Sequence, residues 1–305
     1  MTETAVAGGD QSDDAAPPRL GLPQLSTDPD RMTTSTAPLL LQPFTTAHLP
    51  GALRLSQQAG WPHRAEDWGL TLSVSQGVVV EHEGQVMATA LCSAFGPVAA
   101  LNMIIVDAAL RGRGLGRKLM DAVIAEAGPR EMRLVATRDG LPLYEKLGFV
   151  ATGAIAQHQG EARAADPGRP VRRGAPFDPA ALAAMDGAAS GMERAPLLSA
   201  IADRGEVFST AGGFALLRAF GRGHVLGPVV ARDAATARAL IAAAASALQG
   251  RFLRLDLAGQ PELGAFAEEL GLARVGGGTA MVRSPLATPT PGGFTTFALV
   301  SQALG

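Results

Sequence analysis

Apolar and polar positions along this chain follow two periods that alternate. In "GVVVEHEGQVMATALCSAFGPVAALNMIIVD", residues 77 to 107, apolar runs rich in Val, Ala and Ile are cut by "HEGQ" and "FGPV", which predicts a meander of three antiparallel strands. From residue 115 the period changes, and Leu119, Met120, Val123, Ile124 and Ala127 recur at the spacing of one buried helix face. Upstream, "PLLLQPF" (38 to 44) reads as a short strand. "TTAHLPGALRLSQQAG" reads as a helix entered through a threonine cap with Pro50 near its first turn, and "AEDWGLTLSV" as a second helix. Downstream come a strand in "EMRLVAT", a short helix in "GLPLYEKLG" and a strand in "FVATGAIAQH".

Between 159 and 177 Pro, Gly and Arg interrupt both periods, and a second series begins. It runs through helices "DPAALAAMD" and "RAPLLSAIADRG", strands in "EVFSTAGGFALLRAFGRGHVLGPVVA", helix "DAATARALIAAAASALQG", strand "RFLRLDLA", helix "PELGAFAEELG" and strand "LARVGGGTAMVR". The order repeats that of residues 77 to 153. Setting Arg133 against Arg254 and, after a two-residue insertion, Leu147-Gly148 against Leu270-Gly271 points to an internal duplication. That register pairs Tyr144, the only tyrosine of the chain, with Ala267. The expected fold class is α+β, a mixed α/β architecture with a mostly antiparallel twisted sheet flanked by helices in each half. The expected organisation is a disordered tail over 1–37, a first domain over 38–160, a linker over 161–177 and a second domain over 178–305.

Composition narrows the partners. A length of 305 residues suits two domains, and 47% hydrophobic with 18% charged residues describes a soluble globular chain. A net charge of -2 argues against a nucleic-acid or membrane-surface partner, since phosphate-rich surfaces select a strongly basic face. Cys92 is the single cysteine and lies in an apolar run, so it reads as a buried thiol in a reducing cytoplasm. The tail has neither an apolar segment nor an arginine-rich helix, which excludes a secretory signal and a transit peptide, and no run of about 18 apolar residues spans a membrane.

The candidate chemistry starts at "RGRGLG", residues 111 to 116, which follows the strand "ALNMIIV" and opens a helix. Backbone N–H groups and the helix dipole at such a turn seat an anion. Gly112, Gly114 and Gly116 let the backbone approach a diphosphate, and Arg111, Arg113, Arg117 and Lys118 supply charge. A dinucleotide fingerprint fails because its last glycine would be Arg117, and a P-loop fails because Leu119 follows Lys118.

"VDAALRGRGLGRKLMDAVI" resembles the acyl-CoA pyrophosphate motif of the GNAT acyltransferase superfamily, R/Q-x-x-G-x-G/A, with Arg111, Gly114 and Gly116 at its fixed positions. "LVATRDGLPLYEKLGF" is similar to that superfamily's following strand and helix, and the second half resembles a bacterial subgroup with a second GNAT-like domain. The resemblance implies that acetyl-CoA is the acyl donor, held along the turn from Arg111 through Gly112, Arg113, Gly114, Leu115 and Gly116 to Arg117. It implies a splayed strand at Met103 to Val106, where Ile104, Ile105 and Val106 meet the pantetheine arm and an N–H of Ile105 or Val106 stabilises the oxyanion. Tyr144 would protonate the leaving thiolate. The general base is open: Glu81 or His82 could serve, and either could equally be a solvated strand end. Asp67, Trp68 and Trp61 are candidates for shaping the acceptor pocket or for packing the first helices. His48, His63, His158 and His224 are scattered, and neither they nor Cys92 give metal-ligand spacing, so no metal is expected.

In the second half "GPVVARDAATARAL" offers Asp233 as a helix cap where the glycine turn would be, and Ala267 replaces the tyrosine. That half is expected to bind no acyl-CoA and to complete the acceptor cleft or a dimer surface. The expected activity is transfer of an acetyl group to a primary amine of a small molecule or peptide by direct attack. The alternative is a catalytically silent acyl-CoA sensor.

Overall fold

The first series folds largely as its periodicity predicts. In the computed structural model, which describes residues 39–174, 176–286 and 293–305, it comprises β1 (Leu41–Pro43), α1 (Leu49–Gln58), α2 (Ala65–Ser73), β2 (Gln76–His82), β3 (Gln85–Phe95), β4 (Val98–Val106), α3 (Leu115–Ala127), β5 (Glu131–Ala136), α4 (Leu141–Lys146) and β6 (Val150–Glu161). The predicted tail over 1–37 lies outside the described residues. Thr45 caps a short 3-10 turn, Thr46–His48, through a reciprocal bond in which His48 Nδ1 accepts from the Thr45 N–H at 2.8 Å, and α1 begins one residue later. Pro50 sits in the first turn of α1, where its missing N–H costs nothing.

The second series comprises β7 (Arg172–Arg173), α5 (Pro179–Ser190), α6 (Ala195–Ala202), β8 (Glu206–Thr210), β9 (Gly213–Phe220), β10 (Gly223–Ala231), α7 (Ala234–Ala247), β11 (Phe252–Ala258), α8 (Pro261–Glu269), β12 (Ala273–Arg283) and β13 (Thr295–Ala298). Two of its strands were not predicted. β7 lies in the expected linker and pairs with β8, and β13 follows the last predicted strand. Both are too short for periodicity to reveal.

Among the described residues all strands join one 13-stranded sheet ordered β1-β2-β3-β4-β5-β12-β6-β11-β13-β10-β9-β8-β7. The order contains an exchange. The last strand of the first series, β6, runs antiparallel to β11 from Phe252↔Glu161 to Ala258↔Ile155, while the second series' β12 lies between β5 and β6, with Met281 opposite both Leu134 and Ala151. Each half thus lends a strand to the other. Residues Leu39–Gly305 form one compact unit accordingly.

Helices cover this sheet in duplicate. α3 packs on β2, β3 and β4 through Leu119, Met120 and Val123, and α7 packs on β8, β9 and β10 through Leu240, Ile241 and Ala244. A third cluster is shared, with Phe95 and Val98 of the first half against Leu197, Ile201 and Val300 of the second. Each fully buried Leu or Ile there contributes about 1.5–3 kcal/mol, so separating the halves would expose a core. One buried ion pair secures the far end of the chain. Arg194 bonds Asp186 through Nε–Oδ2 at 2.8 Å and Nη2–Oδ1 at 2.9 Å, and its Nη1 donates to the carbonyls of Leu304 and Gly305 at 2.7 Å.

The exchange predicts that fragments 1–174 and 175–305 do not fold alone, because each lacks a strand that fills the middle of its sheet. Each should unfold without a cooperative transition in circular dichroism, and a one-to-one mixture should regain a single cooperative transition. Cooperative unfolding of both isolated fragments would contradict the exchange.

Candidate active site

β4 and β5 part early. They pair in parallel only from Val98↔Glu131 to Ala100↔Arg133, so the rest of β4 has an open edge toward β5. A bulge starts there: Thr89 lies opposite Ile105 and Leu91 opposite Asn102, one extra residue on β4. Met103 takes φ 50°, and the buried Thr89 Oγ1 donates to its carbonyl at 2.7 Å. The Asp107 N–H donates to the Met87 carbonyl at 2.8 Å, which fixes the alternation at this end of the strand. The amide of Ile105 therefore turns toward β3, and those of Ile104 and Val106 turn toward the gap. This corrects the expectation for Ile105, which can meet an arm in the gap with neither its N–H nor its carbonyl.

The turn follows directly. Asp107 Oδ1 accepts from the Ala109 N–H at 3.0 Å and caps a 3-10 turn, Ala108–Leu110. Gly112 and Gly114 adopt φ 77° and 74°, a left-handed conformation that costs a residue with a Cβ about 1–2 kcal/mol. Gly114 is the N-cap of α3, and the first intrahelical bond, Lys118 N–H to Gly114 carbonyl at 3.2 Å, leaves the amides of Leu115, Gly116 and Arg117 pointing out of the helix end. Arg111 and Arg113 are exposed beside them. Arg117 also reaches Asp121 at 3.0 Å one turn on, so its charge is shared. These groups fit a diphosphate: unengaged N–H donors, no side chain over Gly112 or Gly114, and exposed guanidinium groups.

The gap opens into a cavity of about 370 Å³ bordered by Leu101 to Ile104 of β4, by Leu134 and Val135 of β5, and by Tyr144. Tyr144 is 7% exposed on α4, and its ring lies across Gly140, where a Cβ would sit 2.8 Å from the ring carbon Cε2 and 3.2 Å from the hydroxyl. Burial pushes its phenol up to about 12. The cavity's other walls include the loop Gly60–His63 and residues far along the chain: Gln157 and Gln159 of β6, Phe220 at the end of β9, Arg222 of the β9–β10 turn, Arg254 of β11, Val275 and Gly277 of β12, and the segment Ser301–Ala303.

Other predicted residues lie elsewhere. Glu81 is not among the cavity's lining residues; it sits near the end of β2, 4.0 Å from His48 Nε2, and His82 faces Glu83 at 3.9 Å. Neither is positioned as the base, because β2 is two strands removed from the gap in the sheet order. Trp68 is fully buried, with its indole N–H donating to Ser56 Oγ at 3.1 Å, and so packs the first helices, whereas Trp61 lines the cavity. Asp67 joins the halves. Its carboxylate accepts from the Arg64 N–H at 2.9 Å, the Arg64 guanidinium at 2.9 Å and the Gly221 N–H at 3.0 Å, with Arg218 at 3.6 Å. Burial pushes this carboxyl up, but the bonds from Arg64 and Gly221 outweigh it and hold it below the usual carboxylate range. His63 lines the cavity and is driven down to about 4 by burial, with Arg254 and Arg218 opposing its charge. Arg222, Arg254 and Gln302 were missed, since only the fold brings them to Tyr144. Among the described residues no group of His, Cys, Asp and Glu is spaced to hold a metal.

The second half shows the same geometry with a different occupant. β10 and β11 pair in parallel only at His224↔Leu253 and Val225↔Arg254, and β10 bulges against β9 between Leu226 and Val229 as β4 does against β3. Here β13 fills the gap: Ala298 lies opposite both Val229 of β10 and Leu257 of β11. A Cβ on Gly227 would collide with the Leu299 carbonyl, so the chain itself lies against that bulge. Asp233 caps α7 by accepting from the Thr236 N–H at 2.7 Å.

A strand pair that splays in both halves, with a glycine turn opening a helix and a tyrosine at the gap only in the first, where the gap stays open, defines a tandem acyltransferase architecture. Two family profiles, each described as an acetyltransferase (GNAT) domain, match residues 73–151 and 182–291, and the chain belongs to the GNAT superfamily. It is 36% identical over 115 residues, 36% of this chain, to the uncharacterized N-acetyltransferase YitH of Bacillus subtilis; the match covers 40% of that protein's length. A putative acetyltransferase from Pyrococcus horikoshii shares the fold with a TM-score of 0.73 and 18% identity, over 88% of this chain and 96% of that one. A tandem GNAT protein from the clavulanic acid biosynthesis pathway matches with a TM-score of 0.56 and 14% identity, over 82% of this chain and all of that one.

Asp67→Asn should lower stability by about 3 kcal/mol in urea unfolding, because it leaves buried Arg218 uncompensated. As the folded carboxyl lies below its unfolded value of about 3.9, its contribution is full above that pH and is lost as pH falls through the folded value. The difference between wild type and Asp67→Asn should therefore shrink below about pH 4; a constant difference would remove Asp67 from the acid response.

Proposed function

We propose that the protein is an N-acetyltransferase that transfers an acetyl group from acetyl-CoA to a primary amine of a small molecule or peptide by direct attack. Residues 38–160 carry the catalytic half, and residues 178–305 are a GNAT-like half that binds no acyl-CoA. The observation that carries this reading is Tyr144 at a cavity whose opposite wall is the unpaired edge of β4, with the glycine turn at the end of that edge. Acetyl-CoA supplies the acetyl group as an activated thioester. The chain's own groups divide the remaining tasks. Amides of the 112–117 turn, with Arg111 and Arg113, hold the diphosphate. The outward N–H of Ile104 or Val106 takes an amide of the pantetheine arm or the thioester oxygen, where a fixed donor counts most in a site that excludes water. Tyr144 donates its proton to the departing thiolate; with its phenol near 12, the proton is present at any working pH. The attacking amine needs no acyl-enzyme, and Cys92 is buried with its thiol pushed up to about 11, so it offers no nucleophile.

Tyr144→Phe should lower kcat by ~10²- to 10⁴-fold with little change in the Kd for acetyl-CoA, whereas Gly114→Glu should abolish binding. Both are read by thiol release and by calorimetry. Undiminished turnover in the first would remove Tyr144 from catalysis, and acetyl-CoA binding with no amine-dependent thiol release by the wild type would favour a silent sensor.

The ionisable groups on the cavity wall also predict the pH dependence. Burial drives His63 down to about 4 and Tyr144 up to about 12, so neither changes charge between about pH 5.5 and 9. In that window kcat/KM should rise about tenfold per pH unit, with the free-base fraction of the acceptor, and level off at the acceptor's own pKa. A plateau that stays near pH 7 for amines of different basicity would show an enzyme base instead.

A further inference from the structure

The acceptor end of the cavity has an uneven charge. Its lining includes two guanidinium groups, Arg222 and Arg254, and no carboxylate. Arg254 is 8% exposed and held in place: its Nε and Nη2 bond Asp256, and its guanidinium carbon lies 5.2 Å from the Phe220 ring centre. Asp256 is fully buried behind it and does not reach the cavity surface. Arg222 is exposed on the β9–β10 turn and makes no ion pair among the described residues. Behind these stand Arg64 and Arg218, which share the single carboxylate of Asp67.

The neutral groups are polarised as well. Gln302 Nε2 donates to Asp256 Oδ1 at 2.9 Å and to Gln157 Oε1 at 3.1 Å, and Gln157 Nε2 donates to Gln159 Oε1 at 3.0 Å. This relay consumes the carboxylate of Asp256. It leaves the Gln159 amide N–H groups and the Gln302 carbonyl without partners among the described residues.

We propose, resting on the acetyltransferase reading above, that the acceptor is a small amine that also carries an anion, a carboxylate or a phosphate, with the anion at Arg222 and Arg254 and the amine toward Tyr144. A bare ammonium or a polyamine would meet uncompensated positive charge here and find no carboxylate. An amine with its own anion arrives charge-balanced. The Gln159 N–H groups then add a donor for the anion, and the Gln302 carbonyl an acceptor for the amine. Arg222 acts by binding, on a turn that Asp67 fixes to the first half through the Gly221 N–H.

The test compares matched acceptors by thiol release with acetyl-CoA: β-alanine against β-alaninamide, O-phosphoethanolamine against ethanolamine, and spermidine as the cationic control. The anionic member of at least one pair should have a kcat/KM at least tenfold above its neutral partner, and the pair that shows it identifies carboxylate or phosphate. Arg222→Gln should raise KM for that acceptor at least tenfold and bring the ratio within its pair toward one, with Arg222→Lys restoring most of it. The Kd for acetyl-CoA serves as the folding control in both variants. Turnover of neutral amines or spermidine as fast as of the anionic ones, or a ratio unmoved by Arg222→Gln, would overturn this inference and leave the acetyltransferase standing. Absence of thiol release with every amine would instead sink the acetyltransferase reading. Calorimetry of β-alanine and O-phosphoethanolamine then decides the site: binding abolished by Arg222→Gln supports it, and no binding overturns it.

Discussion

The exchange of β6 and β12 is the constraint on which the rest of the structure depends. Two duplicated halves could each have closed their own sheet, but β6 and β12 are instead each hydrogen-bonded within the other half. A strand in the middle of a sheet satisfies its backbone on both edges, so neither half can leave without exposing two unpaired strand edges. The halves therefore sit in a fixed relation, and Gln157 and Gln159 on the exchanged β6 stand opposite β4 at the cavity.

The same geometry then receives two fates. A parallel pair that splays after three residues leaves backbone groups unpaired, and those groups must find partners. In the first half they face a gap beside a glycine turn. In the second, β13 enters the gap and pairs with both sides, and the carbonyl of Leu299 lies over Gly227. The chain fills one slot with itself and leaves the other open. The segment after β13 runs on through Ser301 to Ala303 into the first half's cavity, so filling the second slot also builds the first site.

Buried charge supports this arrangement without forming the chemistry. Asp186 with Arg194 holds the end of the chain, Asp67 with Arg64 and Arg218 holds the β9–β10 turn, and Asp256 fixes Arg254. Isolated charges at such depth would be costly; the three carboxylates each accept short bonds from a guanidinium, whereas Arg218 keeps its Nε without a partner and depends on Asp67 for its compensation. The result is a cavity whose positive groups are placed from behind by carboxylates that do not face it.

Local sequence determined much of this. The meander, the helix face of α3, the glycine turn and the pairing of Tyr144 with Ala267 were legible, because period, turn chemistry and left-handed glycines are properties of neighbouring residues. The splay at Met103 to Val106 was legible only through the family resemblance. Tertiary structure alone decided which strand lies beside which, that β13 closes the second slot, that the Ile105 amide turns toward β3, and that Glu81 lies away from the gap. It also brought Arg222, Arg254 and Gln302 to a tyrosine between about 80 and 160 residues earlier in the chain. The reason is physical: a backbone amide's direction depends on a bulge register, and a cavity wall on strand order, and both are set by pairing partners that no local pattern names.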